Sequence, residues 1–489
     1  VLKTCRNRWI FTPMRTLHEN FLVASPRHRG MATPAASWMI HGAVLTFYLM
    51  LVTACLQSSG ALAWAPGLAY VGYDTVLLGF TAVQTWSLVR GQPSRKAEQA
   101  GAARVSIGVI VAAHNEAAVL PATLAALLRQ TDRPDAVLVA DDGSADATGT
   151  ALAPYGLATS ALDTMVESST IPGLFWLRLA HGGKAQALNE ALQRIATDVI
   201  VTVDADTRLE LDAVGALRAA FSAEPALVAA TGVLTPVCAR GKLGGIFQWF
   251  QTYEYTRNFL GRFAWMRADG LLLISGACAG FRRDAVMEVG GFDSDCLVED
   301  YELIHRLRRH ATLHNLVWRT RVLGGVRART EAPGTPAAFL RQRRRWFGGF
   351  LQTQFWYRDM VGNPRYGRLG TWMLPVKAAD TLQPIYGLTA FALLLWYLAR
   401  GDVRVLVPVS GVIGAKIAID LVFHLWSVHL YRRWTGDVAG ARFFDALLAA
   451  VVEPFSFQPL RHAGATLGWV MFLTGGRGWG QKTRTALAR

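Results

Sequence analysis

The 489-residue chain is 52% hydrophobic and carries a formal charge of +15. Its apolar residues gather at the two ends with basic residues beside them, a pattern of membrane spans and charged flanks rather than of nucleic-acid binding. Five scattered cysteines (Cys5, Cys55, Cys238, Cys278, Cys296) form no CxxC pair, which excludes a disulfide framework and a cysteine zinc site.

In chain order, residues 1–37 are basic, lack an apolar core of signal-peptide length and read as a disordered segment, with the part before Met31 as an extension. Residues 38–90 read as two transmembrane helices, about 38–56 and 63–89, each near the roughly 20 residues a span needs. Arginines outside both spans place those flanks, and everything from 104 to about 368, on the cytoplasmic side. Residues 104–335 alternate strand-like runs (VSIGVIVAA, AVLVA, FWLRLA, DVIVTV) with helix-like ones. That alternation predicts an α/β domain with a mostly parallel sheet covered by helices. Two stretches, 241–265 and 336–357, interleave aromatics with arginines and read as helices at the headgroup boundary, or as amphipathic helices packed on the sheet. The second belongs to an interfacial segment over 336–378. Residues 379–475 read as further spans at 382–398 and 405–427, plus an apolar stretch at 443–474 broken by Glu453-Pro454, and 476–489 as a basic tail.

Ligands of such sheets bind beyond the carboxyl ends of the strands. His114-Asn115-Glu116, Asp141-Asp142-Gly143-Ser144 and Asp204-Ala205-Asp206 all fall there. Asp204 and Asp206 suit a hard divalent cation that takes its other oxygens from phosphates and water. The DDGS run is either a strand-to-helix turn with a cap or a nucleotide contact through Asp142, beside the 114–116 loop. The glycines of His181-Gly182-Gly183-Lys184 admit a close ligand, and Lys184 can reach anionic oxygens. Glu299-Asp300 opens a helix; the pair favours that N-terminus or supplies a general base. Gln342, Arg345 and Trp346 at i, i+3 and i+4 share one helix face, where Arg345 can bind a diphosphate and Trp346 a sugar ring. Lys416, Asp420 and His424 line one face of a span, as a self-paired bridge or a channel lining; Asp74 is a weaker example.

Together HNE, DDGS, GGKAQALNEAL, DAD, SGACAGFRRDAV, VED and QRRRW resemble the inverting, processive membrane glycosyltransferases of family 2, the group of cellulose, chitin, hyaluronan and poly-N-acetylglucosamine synthases. The resemblance implies a GT-A fold, a UDP-sugar donor and Mg²⁺ or Mn²⁺ on Asp204 and Asp206. Donor contacts would come from His114, Asn115, Glu116, Asp141, Asp142, Lys184, Asp204, Gln342 and Arg345, with Asp142 on uridine. Asp300, with Glu299 beside it, would be the base; Trp346 and the 275–281 segment, including Ser275, Gly276 and Cys278, would face the acceptor. It further implies a polysaccharide or glycolipid acceptor, membrane lipid around the spans, a small membrane auxiliary subunit, and a plasma (inner) membrane location with the catalytic domain in the cytoplasm. N-acetylglucosamine is the expected sugar. A single-addition enzyme on a lipid acceptor and a non-catalytic transport or scaffold protein are the competing readings. Ala112 stands where the family usually has proline, and no cyclic-dinucleotide domain is expected after the last span.

Overall fold

The computed structural model describes residues 15–89, 103–157, 161–437 and 442–476. The expectations for residues 1–14 and for the tail beyond 476 lie outside them. Nine strands form one sheet: β1 Ile107–Ala113, β2 Ala136–Asp142, β3 Met165–Glu167, β4 Leu174–Leu179, β5 Val199–Asp204, β6 Thr207–Leu209, β7 Leu227–Val237, β8 Cys278–Arg282 and β9 Arg319–Glu331. Their order is β3-β4-β2-β1-β5-β8-β7-β9-β6. Strands β1, β2, β4 and β5 are nearly continuous in buried apolar residues, as a sheet covered on both faces requires.

These four pair in parallel, and β7 pairs with β9 in parallel. Strands β3 and β6 join the edges antiparallel, and β8 runs antiparallel between β5 and β7. The sheet is therefore mixed, and the expectation of a mostly parallel one holds only for the half built from strand–helix repeats. Only crossover helices return a chain in the same direction, and β8 follows a long helix and a loop from which it enters head to tail with its neighbours. Register matters more for the site. Ala112 of β1 lies opposite both Ala140 and Asp204, and Ala113 opposite Asp141, so β1, β2 and β5 all end on one line.

Residues 15–37 contradict the expected disorder over 1–37. A helix at Leu17–Ala24 starts with a reciprocal Thr16–Glu19 capping box. It docks on the domain through Asn20 Nδ2 to the Met287 carbonyl (2.9 Å), and Arg27 follows with bridges to Asp293 and Asp295 (2.8 and 3.0 Å). Its capping residues are polar, so composition resembles disorder while the long-range partners supply the order.

Among the described residues three helices are long and apolar enough to cross a membrane: Ala35–Gln57, Leu369–Arg400 and Val403–Thr435. The expected second span forms a helix at Ala65–Thr85 but is not among them, because Tyr70, Tyr73, Asp74 and Thr75 dilute its apolar character. Its tyrosines turn inward instead: Tyr73 donates to Asp380 (2.5 Å). The last apolar stretch is two helices, Phe443–Phe455 and Phe457–Leu473, bent by 53° at the Glu453-Pro454 break. Proline supplies no backbone donor there, and the buried Glu453 takes Arg257 Nη2 of the Lys242–Arg267 helix at 2.5 and 2.7 Å.

The Glu299–Leu313 helix is anchored by Arg306, which is fully buried. Its guanidinium binds Glu302 at 3.1 and 2.8 Å and donates to the carbonyls of Val289 and Gly291 at 2.7 Å each; Tyr357 donates to the same Glu302. Arg306→Met removes the cation and leaves Glu302 charged in the core, which should cost about 3–5 kcal/mol. A large drop in the thermal unfolding temperature of the detergent-solubilised chain would be the readout; an unchanged value would show that the pair is dispensable.

Candidate active site

A single cavity of about 1570 Å³ runs from the carboxyl ends of β1, β2 and β5 down to the transmembrane helices. His114, Asn115, Glu116, Asp142, Lys184, Asp204, Asp206, Ser275, Glu299, Asp300, Gln342, Arg345 and Trp346 all line it. Most of the residues singled out from sequence are thus brought together, although they lie on seven separate segments of the chain.

The donor-side loops interlock. Asp142 is buried, and its carboxylate accepts from the backbone N–H of Gly182 (2.7 Å), from Gly183 (3.0 and 3.1 Å) and from His181 Nδ1 (3.0 Å). Four contacts occupy the lone pairs of both oxygens, so in this conformation the side chain organises the 181–183 loop instead of offering itself to a base, as the sequence reading had it. Gly183 has φ +93°, where a side chain would be strained. His114 Nδ1 lies 2.7 Å from the Asp142 carbonyl, and its ring stacks on His181 at 4.3 Å between centroids. Asn115, at φ 55°, accepts from the N–H groups of Ala145 and Asp146 (2.8 and 3.2 Å) and so ties the 114–116 loop to the turn after β2. Glu116 is buried beside Thr148, whose hydroxyl accepts its N–H at 2.9 Å.

Two expected contacts are corrected. Asp141 does not line the cavity; it is buried and accepts the Ser144 N–H at 2.9 Å, closing the DDGS turn. Alternation along β2 puts adjacent aspartates on opposite faces, so only one of the pair can look into the site. Cys278 is fully buried on β8, where burial pushes its thiol up to about 12, and it faces the core. Gly276 contributes its backbone rather than surface: its N–H donates to Asp300 Oδ2 at 2.6 Å, and a Cβ there would sit 3.1 Å from that oxygen.

Asp300 also accepts the Tyr301 N–H at 2.9 Å. Burial and then the neighbouring Glu299 raise its pKa above the ordinary carboxylate value, against the lowering effect of Lys184 and the two N–H donors. Lys184 Nζ stands between Asp204 Oδ1 (2.7 Å) and Glu299 Oε1 (3.1 Å), so the anionic oxygens it reaches here are those of two carboxylates. Burial alone would lower its pKa; Asp204, Glu299 and Asp300 raise it instead, and it stays charged.

Asp204 and Asp206 flank one turn between β5 and β6 at the cavity wall, and Asp206 is buried. Two carboxylates on one turn match the oxygen donors that Mg²⁺ or Mn²⁺ takes, with Asp204 sharing its charge between Lys184 and such a cation. Among the described residues, the group of three side chains close enough to hold a metal is a different one, His114, Asp142 and His181, whose ligand atoms lie within 4.8 Å of one another.

The Pro336–Trp356 helix closes the site. Arg343, buried, binds Glu254 through two contacts of 2.8 Å and lies over the Trp346 ring at 4.7 Å, so Trp346 is held by a side chain that is itself fixed. Arg345 Nη1 donates to the Leu297 carbonyl at 3.1 Å, and Gln352 clasps the Leu297 N–H and the Asp295 carbonyl, both at 3.1 Å. The helix is thereby tied to the loop that leads into Glu299-Asp300. Below, Lys416 pairs with Asp420 and reaches Asp74 at 2.7 Å, while Asp74, Asp420 and His424 all line the cavity. The self-paired bridge of the sequence reading is present, and Asp420 and His424 of that face also line the cavity. Sequence reasoning missed the Lys242–Arg267 helix as a cavity wall, although Tyr255, Asn258, Arg262 and Trp265 recur at helical spacing.

The family model for glycosyl transferase family group 2 matches residues 199–403. The chain is 26% identical to the poly-β-1,6-N-acetyl-D-glucosamine synthase of Staphylococcus epidermidis over 255 residues, 51% of this chain and 56% of that one. It is 26% identical to the Staphylococcus aureus synthase of the same name over 290 residues, 57% of this chain and 62% of that one. The chain thus spans about six tenths of the length of the curated relatives it matches. Among solved structures it is similar to a mannosyltransferase from Pyrobaculum calidifontis in complex with GDP-mannose and Mn²⁺, at 22% identity and a TM-score of 0.51, covering 79% of this chain and 98% of that one. That likeness shows the GT-A fold.

Lys184→Met should leave three carboxylates facing one another without their cation. Their repulsion would raise the folded pKa values above the unfolded ones, so the penalty is full above the folded values and is relieved as pH falls through them towards the unfolded ones. Unfolding temperatures of wild type and variant should differ at pH 7.5 and converge towards pH 5; a pH-independent difference would show that Lys184 acts by packing.

Proposed function

Because the chain carries a family 2 glycosyltransferase domain of GT-A fold, we propose that it transfers a sugar with inversion from a UDP-sugar, N-acetylglucosamine first, to a growing β-linked polysaccharide that leaves through the membrane. The observation that carries this reading is the continuity of the cavity, in which Asp204–Asp206, Asp300 and Trp346 share one space with Asp420 and His424 of the transmembrane region. The synthase relatives support the polymer and the sugar. The active site would face the cytoplasm at the plasma (inner) membrane, as the arginine flanks imply.

In the proposed reaction Asp300 takes the proton of an acceptor hydroxyl as that oxygen attacks the anomeric carbon. The bond from that carbon to the diphosphate breaks on the opposite face, and UDP leaves. The N–H groups of Gly276 and Tyr301 aim the Asp300 carboxylate while leaving lone pairs on both oxygens for the acceptor. Lys184 holds Glu299 in an ion pair beside it. A divalent cation on Asp204 and Asp206 would offset the charge that grows on the leaving diphosphate. Gln342 and Arg345 would steady that diphosphate, and Trp346 would carry the acceptor ring.

Asp300→Asn should abolish transfer while leaving UDP affinity within about twofold, whereas Asp206→Ala should weaken metal-dependent UDP binding at least tenfold. Wild-type turnover in Asp300→Asn would remove Asp300 as the base. Since the pKa of Asp300 is raised and the base must be ionised, kcat/KM should fall towards acid with a midpoint above about 4, the ordinary carboxylate value. A midpoint at or below that value would contradict the assignment. Product analysis with labelled UDP-sugars selects the donor and the acceptor class: long chains support a polymerase, and one sugar per lipid molecule would replace it with a lipid glycosyltransferase.

A further inference from the structure

The cations that line the cavity are almost all neutralised. Lys184, Arg257, Arg343, Lys377 and Arg461 each reach a carboxylate within 4.0 Å, and Arg345 donates to a carbonyl. Arg262 differs. Among the described residues its Nε and Nη1 are buried and have no hydrogen-bond partner, and no carboxylate stands within ion-pair distance. Its guanidinium lies over the Phe259 ring at 4.4 Å, which offsets only part of the lost hydration. Burial lowers its pKa to about 10, with Asp300 and Tyr255 acting in the other direction, so it remains charged at neutral pH.

A guanidinium whose buried N–H groups are unpaired is destabilising unless oxygens arrive to meet them. Arg262 belongs to a stripe of the Lys242–Arg267 helix, Tyr255, Asn258, Arg262 and Trp265, all of which line the cavity that Ser275 and Asp300 also line, and the Asp300 charge is near enough to act on Arg262. The spacing of three, four and three residues keeps these side chains on one helix face. Aromatic edges on either side of an amide and a guanidinium are the chemistry that holds a pyranose: apolar rings for its C–H faces and N–H donors for its hydroxyl and amide oxygens. Burial keeps the Tyr255 phenol neutral, with its pKa pushed up to about 12, so that its hydroxyl can also donate.

We propose that this helix face is the acceptor wall of the site, and that Arg262 is its specificity-determining residue, donating from Nε and Nη1 to oxygens of the acceptor's terminal sugar beside Asp300. The inference rests on the reading of the cavity as a sugar-transfer site. It assigns Arg262 to the acceptor and not to the nucleotide, which distinguishes it from Arg345 on the opposite helix.

The test uses the full chain in lipid nanodiscs with UDP-N-acetylglucosamine as donor and a β-linked N-acetylglucosamine tetramer as primer. Arg262→Gln should raise the primer KM at least tenfold while the Kd for UDP, measured by calorimetry with Mn²⁺, stays within twofold. Arg262→Lys, which keeps the charge and some donors, should recover part of the loss, and it carries the test with a threefold or larger rise if the glutamine variant does not fold. An unchanged primer KM, or a UDP Kd that weakens in parallel, overturns the proposal. Wild type that does not turn over UDP-N-acetylglucosamine would instead refute the donor choice; the same pair of constants, measured with the UDP-sugar that wild type accepts and the tetramer of that sugar, then decides the role of Arg262.

Discussion

The site is organised around one ammonium group. Lys184 sits at the start of the helix after β4, yet its Nζ reaches the last residue of β5 and the first residue of the Glu299–Leu313 helix. Without a cation there, Asp204, Glu299 and Asp300 would crowd three negative charges into a space largely closed to water, where like charges repel strongly. With it, the carboxylates at the end of the sheet and those at the head of the helix share a counter-charge and a fixed separation. Asp300, which Lys184 does not bond, is left to the two backbone N–H groups that aim it.

Around this centre the framework hands geometry inward by long-range pairs. Arg306 and Glu302 lock the Glu299–Leu313 helix from its buried side, and Phe21 of the N-terminal helix lies under the Arg306 guanidinium at 4.7 Å. The Pro336–Trp356 helix is held at one point by Arg343 on Glu254 and at another by Gln352 on the 295–297 loop. The Lys242–Arg267 helix carries Glu254 and Arg257, so the same element that binds Arg343 also binds Glu453 in the bend of the last apolar unit. The sheet domain and the transmembrane region are therefore coupled through buried ion pairs and not through apolar packing alone. Such pairs are costly to break singly, which gives the two walls of the cavity a defined spacing.

Where sequence reading succeeded, it worked from local patterns. The β-branched runs ahead of Asp141 and Asp204 became parallel strands, and a single register line explains why HNE, DDGS and DAD meet at one edge. Gln342, Arg345 and Trp346 do share a face turned to the cavity. Where it failed, the deciding partner was distant. Nothing near Asp142 announces that Gly182 and Gly183, forty residues on, consume its carboxylate. Asp141 and Cys278 looked like site residues because their motifs are, but strand alternation turns both away from the cavity.

By itself the sequence determined the parts of the candidate site and their order: acidic stations after buried strands, a basic aromatic helix ahead of the later apolar helices, and apolar residues gathered at the two ends. These are properties of short windows, and short windows are legible from periodicity and residue type. Only the tertiary structure decided which carboxylates are held by backbone and which by Lys184, and it alone separated the paired arginines from Arg262. Those outcomes depend on contacts between residues tens to hundreds of positions apart, whose energies are set by burial and by the partners that burial brings within reach.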